Sequence, residues 1–365
     1  MQLQSGESGS YGVGSYGVMV GNPGLEHVGN HLRNAAASLQ VPFRFCNSEL
    51  AFQAWPPVAK LNWWLRGHRP ARLGSFSREV LLDCASPAVS SETGKVLLTT
   101  GLAPVDAGAL ERAGKSGIVR MNFLTDDPWN PQHNAPWFMR SLPRYDFVFS
   151  PRRANMEDLR RAGCENVIYL PFAYAPKIHF REPASSPEEQ RRYASDVVFA
   201  GGADAERVPF LSALIRAKVH VALYGGYWSR YPETQPLDRG LAPADVLRKA
   251  VAGARIALCL VRRANRDGHA MRTWELAAMG ACILAEDTEE HREILGPDGV
   301  SAVYFRSVPE MVERAHALLR DDGLRQRLAT AVRDRICGAG NTYCDRLAAM
   351  LKLAGLPLPG RVASL

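Results

Sequence analysis

The sequence predicts an α/β protein made of two Rossmann-like domains that face each other across a cleft. Three observations predict this. Short apolar, β-branched runs alternate with helical stretches along most of the chain, the pattern of parallel sheets covered on both faces. The rhythm breaks once, at residues 176–195, where PKIHFREPASSPEEQRRYAS is rich in proline, serine and charge, and then resumes. The chain, at 365 residues, is also longer than one hydrophobic core usually serves.

Taken in order, the Gly/Ser-rich start (1–15) is expected to be flexible, and a first domain covers 16–175. YGVMV reads as its opening strand, GNPGLEHVGN as a turn and HLRNAAASL as a helix. A second helical region is interrupted by Pro56 and Pro57, which puts its regular part after them. EVLLDCA and GKVLLTTG are short apolar runs, PVDAGALERAG is helical, and GIVRMNFLTDD and YDFVFSP are strands. RANMEDLRRAGC reads as a helix closed near Gly163, and NVIYLPFAY as the next strand. After the linker (176–195), a second domain (196–340) repeats the scheme from DVVFAGG to the helix VPEMVERAHALLRDD, and a closing helix and tail occupy 341–365.

Composition excludes several classes. The chain is 46% hydrophobic and 22% charged, as an ordinary folded protein is. Its net charge of +7 favours anionic partners, but the arginines are scattered and neither an RNP-type motif nor a zinc-finger spacing occurs, so nucleic acid is not expected as a partner. Seven dispersed cysteines without a C-x-x-C argue against disulfides and zinc. No apolar stretch reaches membrane-spanning length and no basic-then-apolar leader opens the sequence, so a cytoplasmic protein without transmembrane segment is expected.

In open parallel sheets ligands bind beyond the carboxyl ends of the strands, and the chemically suggestive residues fall there. In DGHAMRTWELAAMGACILAED, Thr273 is expected to cap a short helix, Trp274 to Met279, that Gly280 stops. Backbone amides near Met271, Arg272 and Thr273, with the charge of Arg272, suit a diphosphate. Glu275 could accept hydrogen bonds from the vicinal hydroxyls of a ribose; an i, i+3 ion pair with Arg272 is the plainer alternative. Arg207, Gly201 and Gly202 stand at another strand-to-helix turn, and Gly225, Gly226, Tyr227 and Trp228 at a third, where the aromatic rings could stack on a base.

The segment Arg272, Thr273, Trp274, Glu275 and LAAMG resembles the nucleotide-sugar site of GT-B glycosyltransferases, above all the glycosyltransferase family 1-like domain of spore-maturation CgeB-type proteins. VVFAGG with Arg207, ALYGGYW, TYCDRLAAML, NFLTDDPWN and YDFVFSPRRANMEDLRRAGCENVIYLPFAYAP are similar to further stretches of that family, in the same order, over most of residues 80–350. The resemblance implies that Glu275 binds the donor ribose and that Arg272 and nearby backbone hold the diphosphate. It implies that the acidic residue eight positions before Glu275, here Asp267 where the family usually has the longer Glu, contacts the transferred sugar.

The adjacent carboxylates Asp126 and Asp127 end a strand ahead of Pro128. A metal role for them is disfavoured, because GT-B enzymes need no divalent metal for the donor diphosphate; an acceptor-orienting or general-base role and a turn-capping role stay open. His133, Gly21 and His27 are further acceptor-side candidates, the latter two in a loop whose glycine spacing does not fit a nicotinamide fingerprint. The expected activity is glycosyl transfer from a nucleotide-diphosphate sugar, a co-substrate rather than a cofactor, to an unidentified acceptor. A nucleotide-sugar epimerase of the same architecture and a catalytically inactive, glycosyltransferase-like binding protein are the alternatives.

Overall fold

A computed structural model describes residues 16–41, 43–86, 95–133, 135–356 and 358; the start expected to be flexible and the tail from 359 lie outside them. Six parallel strands form the first sheet: β1 (Gly17–Gly21), β2 (Phe43–Asn47), β3 (Lys95–Thr100), β4 (Ile118–Phe123), β5 (Phe147–Ser150) and β6 (Val167–Tyr169), in the order β2-β1-β3-β4-β5-β6. Five more form the second: β7 (Ser195–Ala200), β8 (Val221–Tyr224), β9 (Ala254–Cys259), β10 (Ile283–Glu286) and β11 (Val303–Phe305), in the order β11-β10-β9-β7-β8. The strand direction of travel reverses beside the first strand of each sheet, between β1 and β3 and between β7 and β9. Crossover helices leave opposite faces there, which opens a crevice at the carboxyl ends of those strands.

Central strands are apolar on both faces because helices cover both: Val18, Met19 and Val20 are all fully buried. One apolar cluster runs from Met19, Leu98 and Phe123 on the first sheet through Phe172 and Tyr174 to Trp274 and Ile283 in the second domain. It ends on the closing helix Tyr343–Leu353, which returns from the second domain to pack on the helix Val28–Ser38 of the first. Arg346 fastens this return by donating to the carbonyls of Pro171 and Phe172.

The sequence reading missed or misplaced some elements. EVLLDCA, a short apolar run in the sequence, is the end of the helix Leu73–Ala85, whose buried Phe76, Val80 and Cys84 recur at fourfold spacing. β2 is a half-buried edge strand with no strong apolar run to mark it. The helix Asp322–Cys337 is so charged that only Leu328, Val332 and Ile336 betray its inner face. The helix expected after Pro56 and Pro57 begins on them, as Pro56–Leu65, because in the first turn a missing N–H costs nothing. No described helix is long and apolar enough to cross a membrane.

Candidate functional site

The crevice of the first domain holds a cavity of about 270 Å³ at the ends of β1, β3 and β4, lined by Asn22, Glu26, His27, Thr100, Thr125 and Asp126, among others, and by Met271 from the second domain. The loop after β1 is held by Asn22, whose Oδ1 accepts from the Gly24 amide at 2.8 Å. Gly21 is the last residue of β1 and is not one of the residues lining the cavity. A Cβ there would stand 2.8 Å from Thr100 Oγ1 and 2.9 Å from Gly29 Cα, so glycine is needed for β1 to pack against its neighbours.

The structure gives the two adjacent aspartates different surroundings. Asp126 is partly exposed at the cavity; it accepts from the Thr125 hydroxyl at 3.0 Å and from Asn265 Nδ2 at 3.4 Å, and lies 3.7 Å from His133 Nε2. Asp127 is buried, receives Nε and Nη2 of Arg266 at 2.5 and 3.1 Å, and accepts from the Trp129 amide. Arg266 belongs to the second domain, so Asp127 joins the domains while also capping its own turn.

Asp267 does the same from the other side. Its carboxylate accepts from Arg152 Nε at 2.5 Å, and both side chains are buried between the domains. Burial pushes the Asp267 carboxyl up from its ordinary range against the pull of Arg152. Arg207 is buried nearby, donates to the Gly202 carbonyl at 3.2 Å and lies over the Phe199 ring; burial, with Arg262, lowers its pKa, while Asp204 and Asp267 act in the opposite direction.

Gly201, Gly202 and Gly225 bring the ends of β7 and β8 together. At Gly225, φ is +136° and a Cβ would stand 2.3 Å from the Gly201 carbonyl oxygen. Trp228 does not face a base: it is fully buried and its indole N–H donates to Gly201 O at 2.8 Å. Tyr227 is 58% exposed with the Arg230 guanidinium 4.1 Å from its ring centroid.

The helix carrying Arg272 and Glu275 starts earlier than the sequence suggests, at Met271, and ends at Ala278. Thr273 is therefore not the N-cap. It is the third helical residue, and its hydroxyl accepts from the Ala270 amide at 3.2 Å from inside the first turn, 3.0 Å from His291 Nε2. Gly280 ends the helix as expected, with φ +75°.

Arg272 contacts Glu275 directly. Glu275 is completely buried, with Oε1 3.6 Å from His179 Nε2 and without a hydrogen-bond partner. Burial alone would raise its pKa, but Arg272, then His179 and His31, outweigh burial and hold the carboxylate below its ordinary range. His31 comes from the first domain, and its ring lies 5.3 Å from that of His179 and stacks on Tyr343 of the closing helix. Burial lowers the pKa of His179 and takes that of His31 down to about 4. Glu26, 4.0 Å from Arg272, borders the cavity and is raised by burial.

His31, His179 and Glu275 offer ligand atoms within 4.8 Å of one another, the geometry of a metal site. Their hydrogen bonds suit a metal badly. His179 Nδ1 accepts from the Ala175 amide at 3.0 Å, so in the neutral ring Nε2, the nitrogen facing Glu275, carries the proton. Arg272 already supplies a cation to the same carboxylate.

The sequence reading missed His31, His179 and Tyr343, which meet Glu275 from three distant segments, and His269, which is buried and bonded through Nδ1 to Glu290 Oε2 at 2.6 Å. No local pattern marks any of them. It also missed the pairing of the domains: besides Arg152–Asp267 and Arg266–Asp127, Asn130 donates to Asn265 at 2.7 Å and Arg153 pairs with Glu293 at 2.7 Å.

Two doubly wound domains joined around such a cleft define the GT-B glycosyltransferase fold. The chain is similar to sucrose-phosphate synthase from Thermosynechococcus elongatus (10% identity, 86% of this chain and 83% of that one, TM-score 0.60) and to Anabaena HepE in complex with UDP and glucose (11% identity, 93% and 99%, TM-score 0.59). It also resembles TarM (12% identity, 71% of this chain, TM-score 0.50), of which it spans about half, 54%. Residues 207–352, from Arg207 to the closing helix, match the model of a family described as glycosyl transferase-like. No curated protein matches the chain significantly in sequence.

Proposed function

We propose that the protein is a glycosyltransferase that moves a sugar from a nucleotide-diphosphate donor to an acceptor bound by the first domain, and that it belongs to the CgeB-type branch and acts in the cytoplasm. The observation that carries this reading is the apposition of two crevices: the helix start with Met271, Arg272 and Glu275 abuts the first-domain cavity, and Met271 is part of the cavity wall. The family match over 207–352 supports it. So does the fold shared with HepE, which binds UDP and glucose.

In this reading Arg272 and the first-turn amides stabilise the departing diphosphate, and Glu275 Oε1, buried without a hydrogen bond and 3.6 Å from His179 Nε2, takes a ribose hydroxyl. Arg207 adds positive charge at the neighbouring strand end. Asp126, open to the cavity near His133, is placed to orient an acceptor hydroxyl or take its proton. Since Glu275 is sealed from solvent, the donor enters only when the domains part, and closure then removes water from the reacting groups.

The test is thermal stabilisation by UDP, GDP, TDP, ADP, CMP and their sugars, in the wild type and in Glu275→Gln. A nucleotide at about 100 times its Kd stabilises the native state by about 2.7 kcal/mol. One nucleotide shifting the wild type, with the shift lost in Glu275→Gln, supports the donor site; equal shifts in both, or none in either, refute it.

One observation favours a second reading, a binding protein without turnover: Asp127 and Asp267 are occupied by arginines of the opposite domain. Nucleotide release from the stabilising sugar nucleotide, enzymatic or absent, separates the two.

A further inference from the structure

The helix Pro56–Leu65 is built the wrong way round for a core element. Trp64 and Leu65 are 72% and 75% exposed, Val58 and Leu61 are exposed too, and Asn62 is its one buried residue. At 100° per residue, Val58, Leu61, Trp64 and Leu65 fall within roughly 120° of arc, with the buried Asn62 roughly 40° beyond Val58 at its edge and Trp63, 47% exposed, on the opposite side. Trp55, just before the helix, is 72% exposed. Nothing among the described residues covers this face, and water is a poor solvent for so much contiguous apolar surface.

Charge decides what suits it. No acidic residue occurs between Glu49 and Glu79, while Lys60, Arg66 and Arg69 are exposed and form no ion pair among the described residues. Exposed Trp and Leu beside unpaired basic side chains fit a surface that is apolar within and anionic at its rim. A protein partner would have to supply both a pocket for the tryptophans and a matching set of carboxylates. A bilayer supplies both by its nature, since indole rings settle at the headgroup level and basic side chains meet lipid phosphates. The helix has 10 residues, too few to span a bilayer but enough to lie in its surface.

We infer that the helix Pro56–Leu65 docks the protein on an anionic membrane surface, with Val58, Leu61, Trp64 and Leu65 toward the acyl chains and Lys60, Arg66 and Arg69 against the headgroups. Phe52 lines the first-domain cavity and Trp55 follows it by three residues, so the docking surface begins within about 11 Å of the cavity wall. The inference does not depend on the sugar-transfer reading.

The test is co-sedimentation of the full chain with vesicles of phosphatidylcholine mixed with phosphatidylglycerol, and with phosphatidylcholine alone. The wild type is expected to bind the anionic vesicles, less so as salt rises, with a blue shift of tryptophan emission. Two triple variants, Leu61→Ser/Trp64→Ser/Leu65→Ser and Lys60→Glu/Arg66→Glu/Arg69→Glu, are each expected to bind at least about tenfold more weakly. Their thermal unfolding should not change, because all six side chains are exposed. Failure of the wild type to bind, equal binding to both vesicle types, or unchanged binding by either variant overturns the inference. So does lipid-free self-association that the Leu61/Trp64/Leu65 variant abolishes, which would give this face to a second copy of the chain.

Discussion

Glu275 keeps its charge where water does not reach because the Arg272 guanidinium stands one turn before it. Removing the carboxylate leaves the Arg272 guanidinium without its partner, so Glu275→Leu should destabilise the protein by about 3 kcal/mol in urea unfolding, and Glu275→Gln by less. His31 and His291 set a pH dependence. Burial holds both rings down to about 4 from an ordinary 6.5, so between those values the unfolded chain binds protons that the native state refuses. Stability is then complete above about pH 6.5 and falls as pH drops toward about 4, by on the order of 3 kcal/mol per ring at most. The urea midpoint followed across this range should show the fall, and His31→Gln should flatten part of it.

Elements are set in place by a few close contacts. Gly225 combines a positive φ with a backbone neighbour where a side chain would sit, so Gly225→Ala should cost about 2 kcal/mol or more and separate the ends of β7 and β8. Thr273→Val removes the hydroxyl that satisfies the Ala270 amide and should cost about 1 kcal/mol, read from the thermal midpoint. The helix start at Met271 was legible only approximately, because Ala270 offers no side-chain cap and the capping oxygen comes from the third residue inside. The strands with strong apolar runs, such as β3, β4 and β7, were plain in the sequence. β2 was not, since an edge strand needs little burial and leaves a weak pattern.

The whole molecule is held closed by charged pairs that cross the cleft. Arg152→Met leaves Asp267 buried without a cation, and is expected to cost about 3–5 kcal/mol or to open the domains, which small-angle scattering would register as a larger radius of gyration. A double-mutant cycle on Arg266 and Asp127 should show coupling, smaller because Arg266 is partly exposed. If nucleotide binding requires opening, the Arg152→Met protein should bind nucleotide at least as fast as the wild type, measured by stopped-flow fluorescence.

By itself the sequence determined the two parallel sheets and the strand-end positions of Arg207, Arg272, Glu275, Asp126 and Asp127, because periodicity and strand-to-helix turns are local properties of a chain. Only the tertiary structure decided what those residues touch. The partition of Asp126 to the cavity and Asp127 to Arg266, the seat of Asp267 on Arg152, and the meeting of His31, His179 and Tyr343 around Glu275 join residues far apart in sequence. Burial and charge at such a meeting point depend on distances in space, and these follow from how the two sheets close on each other.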